Sequence, residues 1–303
     1  MHHVITILGP TASGKTSLAC HLGALLDGEI VSADSRQVYR GMTIGTGKDI
    51  GDFTVDGREI PYHLIDIVDP GYEFNVFEFQ QRVANVLPII ESHNRIPIIC
   101  GGSGMYLDAI LRGYDMKKVP ENKALRGMLT NQPQEKLIRK LKSYGSLHNT
   151  TDVNNRDRLI RAIEIADYKM THPDNGFEMP PLTSVNFGIR FDRNAIRERI
   201  TLRLRERLES GMVEEVESLL KQGLTPDQLK FYGLEYRFVT QYLEQELSYD
   251  EMFELLNTAI HQFAKRQMTW FRRMENAGVR IYWIDGELGI DAKLAAIVSM
   301  LPK

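Results

Sequence analysis

The chain is poor in cysteine, has no long apolar run, and carries almost no net charge. Of its 303 residues only Cys20 and Cys100 are cysteine, so neither a disulfide framework nor a thiolate zinc site can be assembled from them. Its apolar stretches, such as Val86–Ile90 and Ile96–Cys100, fall far short of the ~18 residues a membrane helix needs. No basic-then-apolar leader is evident, because the chain runs directly into a strand-like segment, Val4–Leu8. A cytoplasmic protein with no membrane association is therefore the default expectation. Hydrophobic residues at 43% and charged residues at 25% suffice for a packed core, which excludes disorder and collagen-like structure.

The net charge of −3 argues mildly against a nucleic-acid partner, which usually leaves a basic footprint. Its distribution argues the other way. Arg190–Ser210 holds seven arginines against four acids, and Gln262–Arg273 holds four basic residues and no acid. Acidic stretches at Glu214–Glu217 and Glu244–Glu254 cancel them in the total. The average does not decide the partner.

The first hundred residues alternate strand-like and helical patterns, the signature of a parallel α/β sheet. Strands are expected at Val4–Leu8, Glu29–Ser32, His63–Ile67 and Ile96–Cys100. Helices are expected at Thr16–Leu26 and Val76–Glu91, with Pro88 warning of an end to the second. From about Tyr114 the texture becomes basic and helical, over Glu135–Tyr144 and Asn155–Tyr168, before a proline-rich loop at His172–Pro181. A strand at Val185–Phe191, long helices over Asn194–Ala277 and a last strand at Val279–Ile284 complete the pattern. We read this as a sheet core with C-terminal helices, residues 1–112 and 184–303, interrupted by a helical insertion, 113–183.

Gly9-Pro10-Thr11-Ala12-Ser13-Gly14-Lys15-Thr16 matches G-x-x-x-x-G-K-[ST] between a strand and a helix. The glycines let successive backbone N–H groups turn inward, and the helix N-terminus adds positive potential. Lys15 supplies a point charge for the outer phosphate, and Thr16 a hydroxyl for a Mg2+ bridging phosphate oxygens. The pattern specifies a polyphosphate or diphosphate without saying which. Asp34 falls where the second strand ends, at the edge of an open sheet where ligands bind. It could hold a metal, as strand-end carboxylates of nucleotide-hydrolysing enzymes do, or cap a helix. Gly101-Gly102-Ser103-Gly104 follows another strand in the same way, and either a tight turn or an anion site explains it. No acidic pair with a water-positioning residue and no adenine-reading motif is evident, which weakens a kinase or ATPase reading.

The combination of Gly9–Thr16, Ser32-Ala33-Asp34-Ser35 and Val38–Lys48 resembles the tRNA dimethylallyltransferase family, also called tRNA isopentenyltransferases. Pro61–Asp66, Gly101–Tyr106 and Ala264–Trp270 fit the same family in order along nearly the whole chain. Ser103 stands where the family usually has threonine, Tyr232–Arg237 follows the usual Gly-Tyr-Arg-Gln segment only loosely, and the eukaryotic zinc finger is lacking, so the resemblance is to the bacterial type. It implies a fold of the P-loop-containing nucleoside triphosphate hydrolase-like kind. It also implies transfer of a dimethylallyl group from dimethylallyl diphosphate to N6 of the adenosine 3′ to the anticodon, with the phosphate loop holding the diphosphate.

By the same resemblance the catalytic residues are Asp34, as the base that takes the N6 proton, with Lys15, Ser103 and Arg203 on the leaving group. A solvated helix-face charge is the alternative for Arg203. Contacts to tRNA are implied at Asp34, Ser35, Arg36 and Gln37, and at Asp157, Arg158, Leu159, Ile160 and Arg161 of the insertion. Lys265 and Arg266, with Arg272 and Arg273, can meet backbone phosphate, whereas Trp270 and Phe271 read as core. The histidines His2, His3 and His63 lack metal-ligand spacing and read as structural or exposed. A monomer is expected. Two alternatives stay open: a prenyltransferase acting on free adenine nucleotide, which shares the fold, and a P-loop small-molecule kinase.

Overall fold

The computed structural model describes residues 2–145, 155–172, 177 and 179–301. The chain divides into two compact units, one formed by residues up to Tyr114 together with those from Met179 onward, the other by Asp115–Glu178.

In the first unit β1 (His2–Leu8) leads through the phosphate loop into α1 (Lys15–Leu26), then β2 (Gly28–Ser32). A short hairpin of β3 (Thr54–Val55) and β4 (Arg58–Glu59) precedes β5 (Tyr62–His63), α2 (Val76–Ser92), β6 (Ile96–Gly101) and α3 (Gly104–Leu111). The second unit contributes α4 (Lys123–Thr130), α5 (Gln134–Ser143) and α6 (Arg156–Thr171). The first unit resumes with β7 (Leu182–Arg190), α7 (Arg193–Glu209), α8 (Met212–Lys221), α9 (Pro226–Phe231), α10 (Leu234–Leu243), α11 (Tyr249–Asn276), β8 (Ile281–Asp285) and α12 (Ile290–Met300).

Six of these strands form one parallel sheet in the order β5-β2-β6-β1-β7-β8. Buried apolar residues such as Ile5, Ile7, Ile30, Val31, Ile98 and Ile99 give β1, β2 and β6 the near-continuous hydrophobic character of strands covered on both faces. Pro97 is tolerated in a central strand because β1 begins pairing only at Ile98, so on that side no ladder bond is lost. One core cluster packs α1, α12 and the sheet; another packs α7, α8, α10 and α11.

Two expectations need correction. The strand expected at His63–Ile67 shrinks to Tyr62–His63, because Leu64 (φ 64°) and Asp66 (φ 53°) turn into the left-handed region and break the extended backbone. Pro88 does not end its helix, which runs on to Ser92. Its ring faces solvent while Leu87 and Ile90 are buried and anchor the last turn. The second unit has its own small core of Leu125, Leu129, Leu137, Leu159, Ile160 and Ile163. Much of the loop read at His172–Pro181 lies outside the described residues.

Candidate active site

The three segments singled out in the sequence leave the carboxyl ends of adjacent parallel strands: the phosphate loop after β1, Asp34 after β2 and Ser103 after β6. They meet in one cleft of about 470 Å³, lined also by Asp49, Asp52, Arg199, Arg203, Arg207, Phe231, Glu235, Phe263, Arg266 and Gln267. This is the crevice at which open α/β sheets place their ligands.

The loop itself is built by backbone conformation. Ala12 (φ 61°) and Gly14 (φ 75°) both adopt left-handed torsions, and Gly14 stands as the N-cap of α1, so the turn curls directly into the helix. The Lys15 ammonium donates to Pro10 O at 3.4 Å. Burial pulls its pKa down, and the nearby Arg203 adds to this while Asp34 and Asp49 oppose it. An anion in the cleft would supply the counter-charge that the protein alone leaves incomplete. Ser13 Oγ is buried with no hydrogen-bond partner among the described residues. Cys100, whose thiol burial pushes up to about 12, is a neutral wall beneath the loop rather than a nucleophile.

Asp34 Oδ1 accepts the Arg36 amide at 2.9 Å, a local turn that fixes the carboxylate. Its second oxygen has no hydrogen-bond partner among the described residues. The Ser35 amide donates to Ser103 Oγ at 3.1 Å, which ties this turn to the glycine-rich one. Gln37 is held from both sides: its amide nitrogen donates to Gly47 O at 2.9 Å and its oxygen accepts from Ser32 Oγ at 2.8 Å.

Arg203 does not lie on a solvated face. Its guanidinium donates to Asp49 inside the cleft. Arg199 and Arg207, which the sequence reading passed over, stand one turn to either side of it. Arg199 Nε donates to Ala12 O at 3.0 Å, and Arg207 lies 3.7 Å from Asp49. The available signal was the four-residue spacing 199, 203, 207, which stacks three guanidinium groups on one helix face. Asp49 and Asp52 were likewise missed; they reach the cleft from a short 3-10 turn, Ile50–Phe53, rather than a strand end. Burial and the neighbouring Asp49 push the Asp52 carboxyl up.

Gln267 lies within the Ala264–Trp270 motif, on the face of α11 turned to the cleft. Its Oε1 accepts the Thr11 amide at 2.8 Å and its Nε2 donates to Gly102 O at 2.8 Å. A Cβ on residue 102 would fall 2.4 Å from that Nε2, so the contact requires glycine there.

In the second unit Leu159 and Ile160 are core residues, which corrects their expected place at an RNA surface. The Arg161 guanidinium is taken up by Glu164 and by Val119 O. Asp157 and Arg158 are exposed. On α11, Lys265 and Arg266 are exposed, Phe271 is fully buried, and Trp270 is half-buried with Arg273 over its ring at 5.4 Å. His63 and His2 are tied to Glu29 and Glu91 respectively.

A strand–glycine loop–helix turn at the carboxyl end of a parallel sheet, with a carboxylate and an arginine stripe facing it, defines a P-loop α/β protein. The IPP transferase family model matches residues 37–274. Over 300 residues the chain is 53% identical to tRNA dimethylallyltransferase 2 of Bacteroides fragilis, covering 99% of this chain and 98% of the relative. It is 52% identical to tRNA dimethylallyltransferase 1 of Parabacteroides distasonis over the same share of each. A crystal structure of a full-length tRNA isopentenylpyrophosphate transferase from Bacillus halodurans superposes with a TM-score of 0.72 at 29% identity, covering 99% of this chain and 95% of that one. The chain belongs to the IPP transferase family.

Proposed function

We propose that the protein transfers a dimethylallyl group from dimethylallyl diphosphate to N6 of the adenosine 3′-adjacent to the anticodon in tRNA, releasing diphosphate. The observation that carries this reading is the single cleft in which a diphosphate cradle faces a carboxylate with one unengaged oxygen. Family membership and relatives named for this activity support it.

The adenine amino group is a weak nucleophile because its lone pair is delocalised into the ring. Three contributions offset that: a stabilised leaving group, a held nucleophile and a proton acceptor. The phosphate-loop amides, Lys15, Arg203 and Ser103 take up charge as the allylic C1–O bond breaks. Asp34 accepts the N6 proton as the new N6–C1 bond forms, leaving a secondary amine and free diphosphate. Among the described residues no group of three or more His, Cys, Asp or Glu side chains converges to hold an ion. Thr16 Oγ1, a hard hydroxyl donor at the start of α1, is the group that would hold a Mg2+. When bound it would neutralise charge on the leaving diphosphate.

The target base must leave its stack to reach the cleft. Asp34–Gln37 and Arg266 line that cleft and are the residues we assign to the entering base, while Lys265 on the same helix as Arg266, and Asp157 and Arg158 in the second unit, are exposed candidates for backbone contact. Such a substrate fits a cytoplasmic enzyme acting as a monomer.

Incubation with dimethylallyl diphosphate, Mg2+ and either unmodified tRNA or AMP tests the reading. Prenylated adenosine is expected in tRNA alone. Product on AMP would support the free-nucleotide reading, and product on neither acceptor would overturn both. Asp34→Ala should lower turnover by about 10²–10⁴-fold while tRNA binding persists; near-normal turnover would refute the base assignment.

A further inference from the structure

The mouth of the cleft carries two exposed phenylalanines, a residue type with no evident place in a polar, phosphate-binding crevice. Phe231 is 59% exposed and Phe263 is 38% exposed, and both line the cleft that contains Asp34. Each sits under a guanidinium: Arg36 lies 5.3 Å from the Phe231 ring centroid, and Arg266 lies 5.9 Å from that of Phe263.

The exposure is not the result of a loose backbone. Phe231 ends α9, whose start is fixed by a capping box of Thr225 and Gln228. Leu229 is fully buried two residues before it. The next residue, Tyr232, is buried, packs edge-on against Tyr39 at 4.7 Å and takes the Gly71 amide on its hydroxyl. The anchoring contacts are thus made by Leu229 and Tyr232, and the Phe231 ring, with Arg36 beside it, stays largely open to solvent. Phe263 is presented in the same manner, from a long helix whose next residue, Ala264, is buried.

We infer that the Phe231–Arg36 pair, with Phe263–Arg266 as a second platform, stacks unpaired RNA bases adjacent to the adenosine being modified. This rests on the tRNA reading above. An aromatic ring with an arginine beside it is the chemistry by which proteins hold splayed-out bases, with no hydrogen-bond readout required. The charge agrees, since both platforms bring a cation to the rim that backbone phosphate would cross. The dimethylallyl tail is the competing occupant, but a five-carbon chain gains most from a dry pocket, and Phe231 is open to solvent.

The test uses the full-length protein and an anticodon stem-loop with 2-aminopurine next to the target adenosine. Binding of wild type should quench the 2-aminopurine. In Phe231→Ala the quench should be lost and the stem-loop Kd should rise about five- to hundredfold, whereas Phe231→Tyr should retain both and the KM for dimethylallyl diphosphate should not move. Unchanged Kd and quench in Phe231→Ala would overturn the inference. So would a raised KM for dimethylallyl diphosphate with normal stem-loop binding, which would assign the ring to the allyl tail. Wild type that fails to prenylate unlabelled tRNA would remove the underlying reading, and this inference with it; a wild type that modifies tRNA while Phe231→Ala binds normally removes the inference alone.

Discussion

Gln267→Ala is the most informative perturbation of the site, because Gln267 touches no reacting atom in our reading yet joins two of its walls. The side chain is 6% exposed and bridges the phosphate loop at Thr11 to the glycine-rich turn at Gly102 through two 2.8 Å hydrogen bonds. Through Ser103 and the Ser35 amide, 3.1 Å apart, the same turn reaches Asp34. Truncation removes two hydrogen bonds of about 1 kcal/mol each, and leaves an amide and a carbonyl in need of partners. Water can reach the half-buried Thr11 side more readily than Gly102, so we place the total at about 2–4 kcal/mol rather than at the sum of two full desolvation penalties. If half of it acts on the placement of the diphosphate, kcat/KM for dimethylallyl diphosphate falls by roughly five- to thirtyfold, at 1.4 kcal/mol per factor of ten. Steady-state kinetics with dimethylallyl diphosphate varied at saturating tRNA, read beside a thermal melt, separates the effects. Gly102→Ala should disturb the same contact, so the double variant should cost clearly less than the sum of the singles. A lowered melting temperature with unchanged kinetics would show that Gln267 only supports the fold; additive singles would refute the shared contact.

Two further predictions concern stability. Lys48 is fully buried, with its ammonium on Tyr39 O and Asp66 Oδ1, each at 2.5 Å; because Asp66 remains half-exposed and can turn to water, Lys48→Met should destabilise by about 2 kcal/mol, and an unchanged denaturant midpoint would contradict this. Burial alone would raise the Glu164 carboxyl, but Arg126, the Asn122 amide and Arg161 outweigh it and hold the pKa at about 2. A carboxyl whose folded pKa lies below its unfolded value stabilises above the unfolded value and loses that contribution as pH falls towards the folded one. Roughly 3 kcal/mol should therefore disappear between about pH 4.5 and 2. Glu164→Gln should flatten that part of the acid-unfolding curve of the second unit, and a curve of unchanged shape would remove Glu164 as its cause.

The residues legible in the sequence share one property: their chemistry is written in contiguous positions. Gly9–Thr16 needs a fixed spacing to curl a backbone around phosphate, and the hydrophobic runs around Ile5, Ile30 and Ile98 need only their own composition to mark buried parallel strands. Asp34 and Ser103 were legible one step removed, since a strand end in an open sheet predicts where a side chain faces. What escaped was of two kinds. Arg199 and Arg207 carry a local signal, a stripe at helical spacing, but it became decisive only once the cleft showed which face of α7 is turned inward. Leu159 and Ile160 went astray for the converse reason: a motif transferred whole carries its core positions along with its surface ones, and only the packing of α6 on Leu125 and Leu137 separates them. Gln267 has no local signal at all. Its partners stand 256 and 165 residues away, and an isolated glutamine on an amphipathic helix resembles any solvent-facing one. The same holds for Lys48 and Asp66, which pair across 18 residues, Asp66 from within a segment that reads as strand. Polar pins of this sort close distances that only the finished topology creates. They decide how rigidly the phosphate loop and Asp34 are held, whereas the contiguous motifs decide what chemistry they can do.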